Sequence, residues 1–245
     1  MADLYGNAAD GTITTSVVFS WANARDHSGS GGTGTTTLSS NSNAIAVARS
    51  ATRGAGSGYQ VARSFFFFDT SSITGTVSSA TIKIFGTASN DGSAIAVKST
   101  AFGGDGGTAL AVTDFNNIVG FSAGSSLAGL ATDYSAAITT TGYSTSGYND
   151  FAGTSDLAAD MQNNNVVIIC LMDYTNDYLN SALTSNQVLN YGAFFTDNSG
   201  TSKDPYIEYE LSSGYGHDVN GVAAASIGKV NSVATASIGK INSVD

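Results

Sequence analysis

The chain has 245 residues, 42% of them apolar, which is ample for one sizeable core and does not force two globular units. Only 11% are charged, so Ser, Thr, Asn and Gly must furnish most of the surface, as in extracellular β-rich proteins, fibres and shells rather than cytoplasmic metabolic enzymes. A net charge of -10 with nine Lys and Arg leaves no basic stripe, which argues against nucleic acid and against an anionic membrane surface as partners.

The N-terminus, MADLYGNAADG, has no cationic start and no apolar stretch of signal-peptide length, and no segment reaches the length of a membrane span. The expectation is a protein made in a cytoplasm and released without an export signal. Joined to an exterior-type composition, this points to a virus particle, which leaves its host by lysis.

Short apolar runs separated by Gly/Ser/Thr/Asn clusters predict an all-β sandwich. Strands are expected at 14–22, 43–50, 64–70, 80–88, 93–100, 165–174, 192–197 and 206–211. Ile82 and Ile84 alternate with Thr81 and Lys83, and Ile207, Tyr209 and Leu211 alternate with Glu208 and Glu210, so both strands read as half-solvated. The run Phe65 to Phe68 does not alternate and predicts a central strand covered on both faces, or one facing a packed neighbour.

One helix is expected at TSDLAADMQ, with Ser155 as its N-cap. Loops rich in Gly, Ser and Thr occupy 28–42, 51–58, 103–108 and 138–154. Pro205, the single proline, opens the last strand, where no ladder donor is needed. The single cysteine, Cys170, lies in the apolar run NVVIICLMD and reads as a small buried residue.

Enzymatic signals are thin. A Ser-His-Asp triad would have to recruit His27, beside a Gly/Ser loop, or His217, in a linker. There is no G-x-S-x-G elbow, metal-type His pair or P-loop, and neither GTGTTTLSS nor GGDGGTAL has the Lys or strand-helix context of a phosphate cradle. No catalytic residue is assigned. A carboxylate pair acting on a polysaccharide is the least favoured reading.

Glycan binding needs only aromatic faces and a few polar groups. Trp21, Tyr143, Tyr148, Tyr174 and Tyr178 are the candidates, the tyrosines lying in or beside loops. No cofactor is expected. The oxygen-rich stretches SNDGSA and DYTND would suit a hard cation such as calcium, but neither has EF-hand spacing.

The stretch ARSFFFFDTSSITGTVSSATIKIFG, residues 62–86, resembles the strand-turn-strand signature of carbohydrate-binding-module-like jelly-roll domains of the DNRLRE type. Its places are held here by Arg63, Phe68-Asp69, Thr70-Ser71-Ser72 and Ser79-Ala80-Thr81, ahead of Ile82 and Ile84. SWANARD (20–26) looks like the early strand of such domains and KDPYIEYEL (203–211) like their closing strand. The resemblance implies a jelly-roll β-sandwich. Relatives that end in short IGKINxV-like repeats look like structural or appendage proteins of phages. Within the motif, Asp69 is expected to accept N–H bonds from the following turn, and Arg63 to pair with a carboxylate across the sheet.

The sandwich is expected over 1–212, followed by a linker at 213–218 and an eleven-residue repeat over 219–245. Its apolar positions are Val219, Val222, Ile227, Val230, Val233, Ile238, Ile241 and Val244. On a helix these fall within an arc of roughly 160°. Gly228, Gly239 and the β-branched residues disfavour a helix, and the other form is short strands turning at Gly-Lys. Either form needs partners to bury the stripe, so the repeat reads as an anchor or oligomerisation element.

The expectation is therefore a virion structural protein (capsid decoration, head fibre or tail fibre) with other virion proteins and its own copies as partners, displaying its sandwich to host-surface glycans. The alternative is a carbohydrate-binding module of a surface or secreted protein.

Overall fold

The structure, a computed structural model, describes residues 1–27, 34–38, 42–52, 56–139, 142–196, 201–212, 229–230 and 233–234. In chain order the elements are β1 (Ala2–Tyr5), β2 (Gly11–Thr15), α1 (Trp21–Arg25), β3 (Gly34–Leu38), β4 (Ser42–Thr52), β5 (Gly56–Asp69), β6 (Val77–Asn90) and β7 (Ala94–Lys98). There follow β8 (Tyr148–Ala152), α2 (Ser155–Asn163), β9 (Val166–Asp173), β10 (Gln187–Ala193), β11 (Tyr206–Leu211), β12 (Lys229–Val230) and β13 (Val233–Ala234).

The fold is an all-β sandwich whose paired strands run antiparallel. One sheet runs β1–β11–β6–β8, with Leu4 opposite Ile207, Ile207 opposite Ile82, and Ile82 opposite Phe151. The other is organised by β5, whose 14 residues serve three neighbours. Its first half pairs with β4, its second half with β9, and β2 takes the opposite edge, so Phe65 faces both Cys170 and Gly11. β7 extends this sheet beyond β9, and β3 beyond β2. Strand β10 pairs with β4 and with the last part of β6, which joins everything into one 11-stranded network. Where β6 passes from one sheet to the other it carries Gly86. A Cβ there would stand 1.9 Å from the Ser144 carbonyl oxygen, so only glycine allows that approach.

The phenylalanine run is buried on both sides, as its lack of alternation predicts. Phe66 and Phe68 point between the sheets to Ile82, Ile84, Phe151 and Ile207. Phe65 and Phe67 point the other way, with Val97, Ile168 and Cys170. That second face is roofed by the long connection 101–131, through Phe102, Leu110, Phe115 and Leu127. The molecule thus has two cores, one between the sheets and one beneath a coil layer. Cys170 is fully buried, and burial pushes its thiol well above the ordinary range, as suits a packing residue.

Arg63 also projects into the second core, and both it and Asp177 are fully buried. Its Nε and Nη2 donate to the two carboxylate oxygens of Asp177, both at 2.7 Å. Nη2 also reaches the Arg25 carbonyl (2.9 Å), and Nη1 the Phe115 carbonyl (2.8 Å) and Asn116 Oδ1 (2.9 Å). The guanidinium lies 4.1 Å from the Phe115 ring centroid. Burial works against its charge, but Asp177 outweighs it and raises the pKa. The expected carboxylate partner is therefore present, although it comes from the π-helical turn Tyr174–Tyr178 after β9 rather than from a strand. Asp69 likewise accepts the Ser71 N–H at 3.0 Å.

Several expected elements are corrected. Residues 14–22 do not form one strand: β2 ends at Thr15 and SWANARD forms helix α1. Ser20 caps that helix by accepting the Asn23 N–H, and Ala22, Ala24 and Arg25 favour it locally. Helix α2 is capped by Thr154, whose hydroxyl accepts the Leu157 N–H, so Ser155 is its first residue rather than its cap. The strand expected at 192–197 lies at Gln187–Ala193, drawn N-terminally by seven residue pairs with β4. The regions 28–42 and 138–154 contain strands β3 and β8, and most of 51–58 belongs to the β4–β5 hairpin.

In the repeat, β12 and β13 pair antiparallel with Val230 opposite Val233. At these four described residues the chain takes the strand form of the two that the sequence allows. The linker 213–218 and the anchor positions Val219, Val222, Ile227, Ile238, Ile241 and Val244 lie outside the described residues.

Removing one partner of a buried ion pair leaves an uncompensated charge. Asp177→Ala is expected to lower stability by about 3–5 kcal/mol in urea unfolding. The double variant Arg63→Met, Asp177→Leu should cost less than that single change. A double variant that is the worse of the two would contradict the ion-pair account.

Candidate functional site

The outer face of the β1–β11–β6–β8 sheet carries the side chains that alternate with its buried ones. Inward-facing Ile207, Ile82, Ile84, Asn149 and Phe151 leave Tyr206, Glu208, Lys83, Phe85, Tyr148 and Asp150 facing out. Register then brings the rings together. Tyr5 stands opposite Tyr206, Tyr206 opposite Lys83, and Phe85 opposite Tyr148. Phe194, just past β10, joins them through its N–H bond to the Phe85 carbonyl.

The result is a continuous run of rings. Tyr5 lies 5.4 Å from Tyr206, Tyr206 5.0 Å from Tyr148, Tyr148 5.2 Å from Phe85, and Phe85 5.5 Å from Phe194. Tyr5 is 39% exposed and the other four are half-buried. Lys203 closes one end, its ammonium 4.5 Å from the Phe194 centroid and 5.5 Å from that of Phe85.

Charge on this face is mostly compensated. Lys83 sits between Asp150 (2.7 Å) and Glu208 (3.5 Å). Burial opposes its charge, yet the two carboxylates outweigh that and raise its pKa. The Tyr148 hydroxyl donates to the Asp204 carbonyl at 3.1 Å. Burial, followed by the neighbouring Tyr206 and Tyr5, pushes its pKa up to about 12. Tyr206 is shifted upward chiefly by burial too.

Of the five aromatic residues expected from sequence, Tyr148 alone belongs to this stripe. Tyr143 is buried at 8% exposure, stacked 4.0 Å from Tyr191 with its hydroxyl donating to the Gly192 carbonyl. Tyr178, at 3% exposure, donates its hydroxyl to Asp133 at 2.9 Å. These two rings offer no open face to a sugar, because packing has consumed it. Tyr174 is half-buried and stacks 5.4 Å from Tyr178. Trp21 is half-buried, donates from Nε1 to Asn180 Oδ1 (2.9 Å) and meets Tyr59 edge-on. Trp21, Tyr174 and Tyr178 thus border the second core, away from the stripe.

Tyr5, Tyr206, Phe85 and Phe194 were missed. The available signal was parity: in IKIF and YIEYEL an aromatic residue holds the same phase as the solvent-facing Lys83 and Glu208.

The two oxygen-rich stretches meet in space. Asp173 accepts the Ser93 N–H and hydroxyl at 3.2 Å on one oxygen and the Asn176 N–H at 2.6 Å on the other. Protein donors therefore occupy both oxygens, and burial raises the Asp173 pKa despite them. His27, one of the two histidines considered for a triad, lies against the Phe115 ring at 5.2 Å.

Compared with protein-family models and with curated proteins, the chain matches none.

An ordinary tyrosine titrates near 10. Tyr148 and Tyr191, both raised to about 12, should appear together as a late step in an absorbance titration, and Tyr148→Phe should remove the Tyr148 share of its amplitude. Because the folded-state pKa of Tyr148 is raised, its contribution to stability is complete below the ordinary phenol range and is lost as pH climbs from there through about 12. A Tyr148 step at the ordinary value would contradict the packing described for the stripe.

Proposed function

We propose that this is a non-enzymatic virion structural protein, a capsid decoration, head fibre or tail fibre, whose jelly-roll sandwich is displayed outward and adheres to host-surface glycans. The observation that carries the adhesion reading is the run of five rings, Tyr5, Tyr206, Tyr148, Phe85 and Phe194, on one solvent-facing sheet surface. Sugars present flat C–H faces ringed by hydroxyls, and aromatic side chains flanked by polar groups are the chemistry that suits them. Lys83, Asp150 and Glu208 supply those polar groups beside the rings.

The virion assignment is supported by the low charge content, the Ser/Thr/Asn/Gly-rich surface and the phage-like resemblance of the repeat. The repeat anchors or oligomerises the chain within the particle, among copies of itself and other virion proteins. The alternative, a carbohydrate-binding module of a surface or secreted protein, uses the same face and differs in where the protein resides.

The test is a glycan array probed with the full-length chain. At least one glycan should bind, and Tyr206→Ala and Tyr148→Ala should each weaken it by about tenfold or more, as loss of an aromatic anchor does. Tyr143→Phe, which alters a buried ring, should leave binding unchanged. An array without signal would end the adhesion reading. Detection of the protein in purified virus particles by mass spectrometry decides between particle and cell surface.

A further inference from the structure

We infer that the stripe takes a single, solvated glycan chain rather than a packed polysaccharide surface, and that one sugar of that chain rests in the shallow hollow beside Lys203. The inference rests on the glycan reading above and names the class of ligand.

The first ground is the orientation of the rings. Tyr148 is turned 80° from Tyr206, Phe85 83° from Tyr148, and Phe194 73° from Phe85. Tyr5 is tilted 38° from Tyr206. A packed polysaccharide is flat, and gripping it requires several ring faces in one plane. From Tyr206 to Phe194 each ring stands nearly edge-on to the next. A free chain turns about its glycosidic bonds and can meet such an arrangement, placing a C–H face on one ring and its rim against the next.

The second ground is charge. Asp150 and Glu208 flank Lys83 within the stripe, and the Asp150 side chain is 59% exposed. Pressing a flat surface against these groups would strip their water with no fixed partner in return. The hydroxyls of a solvated chain can replace that water one bond at a time.

The third ground is a shallow hollow, open to solvent, at the Phe194 end. It measures about 400 Å³ and is lined by Phe85, Phe194, Thr87, Thr145, Ser146 and Lys203. That volume lies within the range of small-ligand sites. Two rings form an apolar wall, while three hydroxyls and an ammonium form a polar one. One sugar ring, apolar on its face and polar around its edge, matches both walls. The Lys203 ammonium forms no ion pair with another described residue, so its donors are available to sugar oxygens.

The experiment uses the full-length chain. Calorimetry would follow soluble tetrasaccharides of glucose, galactose, mannose, N-acetylglucosamine and uronic acid. Co-sedimentation would follow crystalline cellulose and crystalline chitin. At least one tetrasaccharide should bind while neither crystalline polymer retains the protein. Lys203→Met and Thr145→Val should each weaken that tetrasaccharide roughly three- to tenfold, the range of a partly exposed polar contact. Both residues are exposed, so an unchanged melting temperature confirms that the fold is intact. Retention on a crystalline polymer without tetrasaccharide binding overturns this inference and leaves the glycan reading standing. Unchanged binding by both variants overturns the seating of a sugar beside Lys203. No binding to any probe overturns the glycan reading and this inference together.

Discussion

The Arg63–Asp177 pair is the contact on which the rest of the molecule is hung. The guanidinium sits on the central strand β5, and its donors reach the turn after β9, the C-terminal end of α1 and the Val112–Asn116 turn. Arg25 adds a bond from Nε to the Asp177 carbonyl (2.7 Å) and another from Nη1 to Asp26 (2.7 Å). Asp26 in turn accepts the Gly124 N–H. Two buried arginines therefore fix the coil layer on the sheet at several separate points. Relative to apolar residues of equal volume, a buried ion pair adds little net stability. What it supplies here is position: a roof built from irregular chain, 101–131, has no ladder of its own to hold it in register.

That roof explains the strand chemistry beneath it. In a two-layer sandwich one face of each sheet meets water, and Phe65, Phe67 and Cys170 would be exposed. With the coil layer in place, β5 and β9 are covered on both sides and their sequences lose alternation. Among the described residues the opposite sheet has no such cover, and β6 and β11 keep alternation, with their outward positions half-buried or exposed. The aromatic stripe lies on that open face.

Much of this was legible in the chain. Non-alternation at Phe65 to Phe68 and alternation at Ile82, Ile84 and Ile207 are one-dimensional signals, and each reports the burial of its own strand. The final strand, opened by Pro205, falls where expected. Helix α1 was hidden because Val17, Val18 and Phe19 have strong strand propensity and the capping hydroxyl of Ser20 follows them directly. Thr154 and Ser155 are neighbouring residues of equal capping chemistry, and only the bond to Leu157 separates them. The stripe was the least legible feature. Tyr5, Phe85, Tyr148, Phe194 and Tyr206 are scattered along the chain and meet only through strand register, which a single sequence does not carry. The tyrosines near loops were more conspicuous, and two of them are consumed by the core.

The place of β11 has a mechanical consequence. It is paired on one edge with β6 through six residues and on the other with β1 through four, and the chain leaves it at Ser212. If a ligand is gripped at Tyr206 while the chain is tethered beyond residue 212, tension runs along β11 itself. Its backbone bonds to both neighbours are then loaded in shear, all at once, instead of being peeled apart singly. A strand held in this way resists pulling far better than an edge strand would.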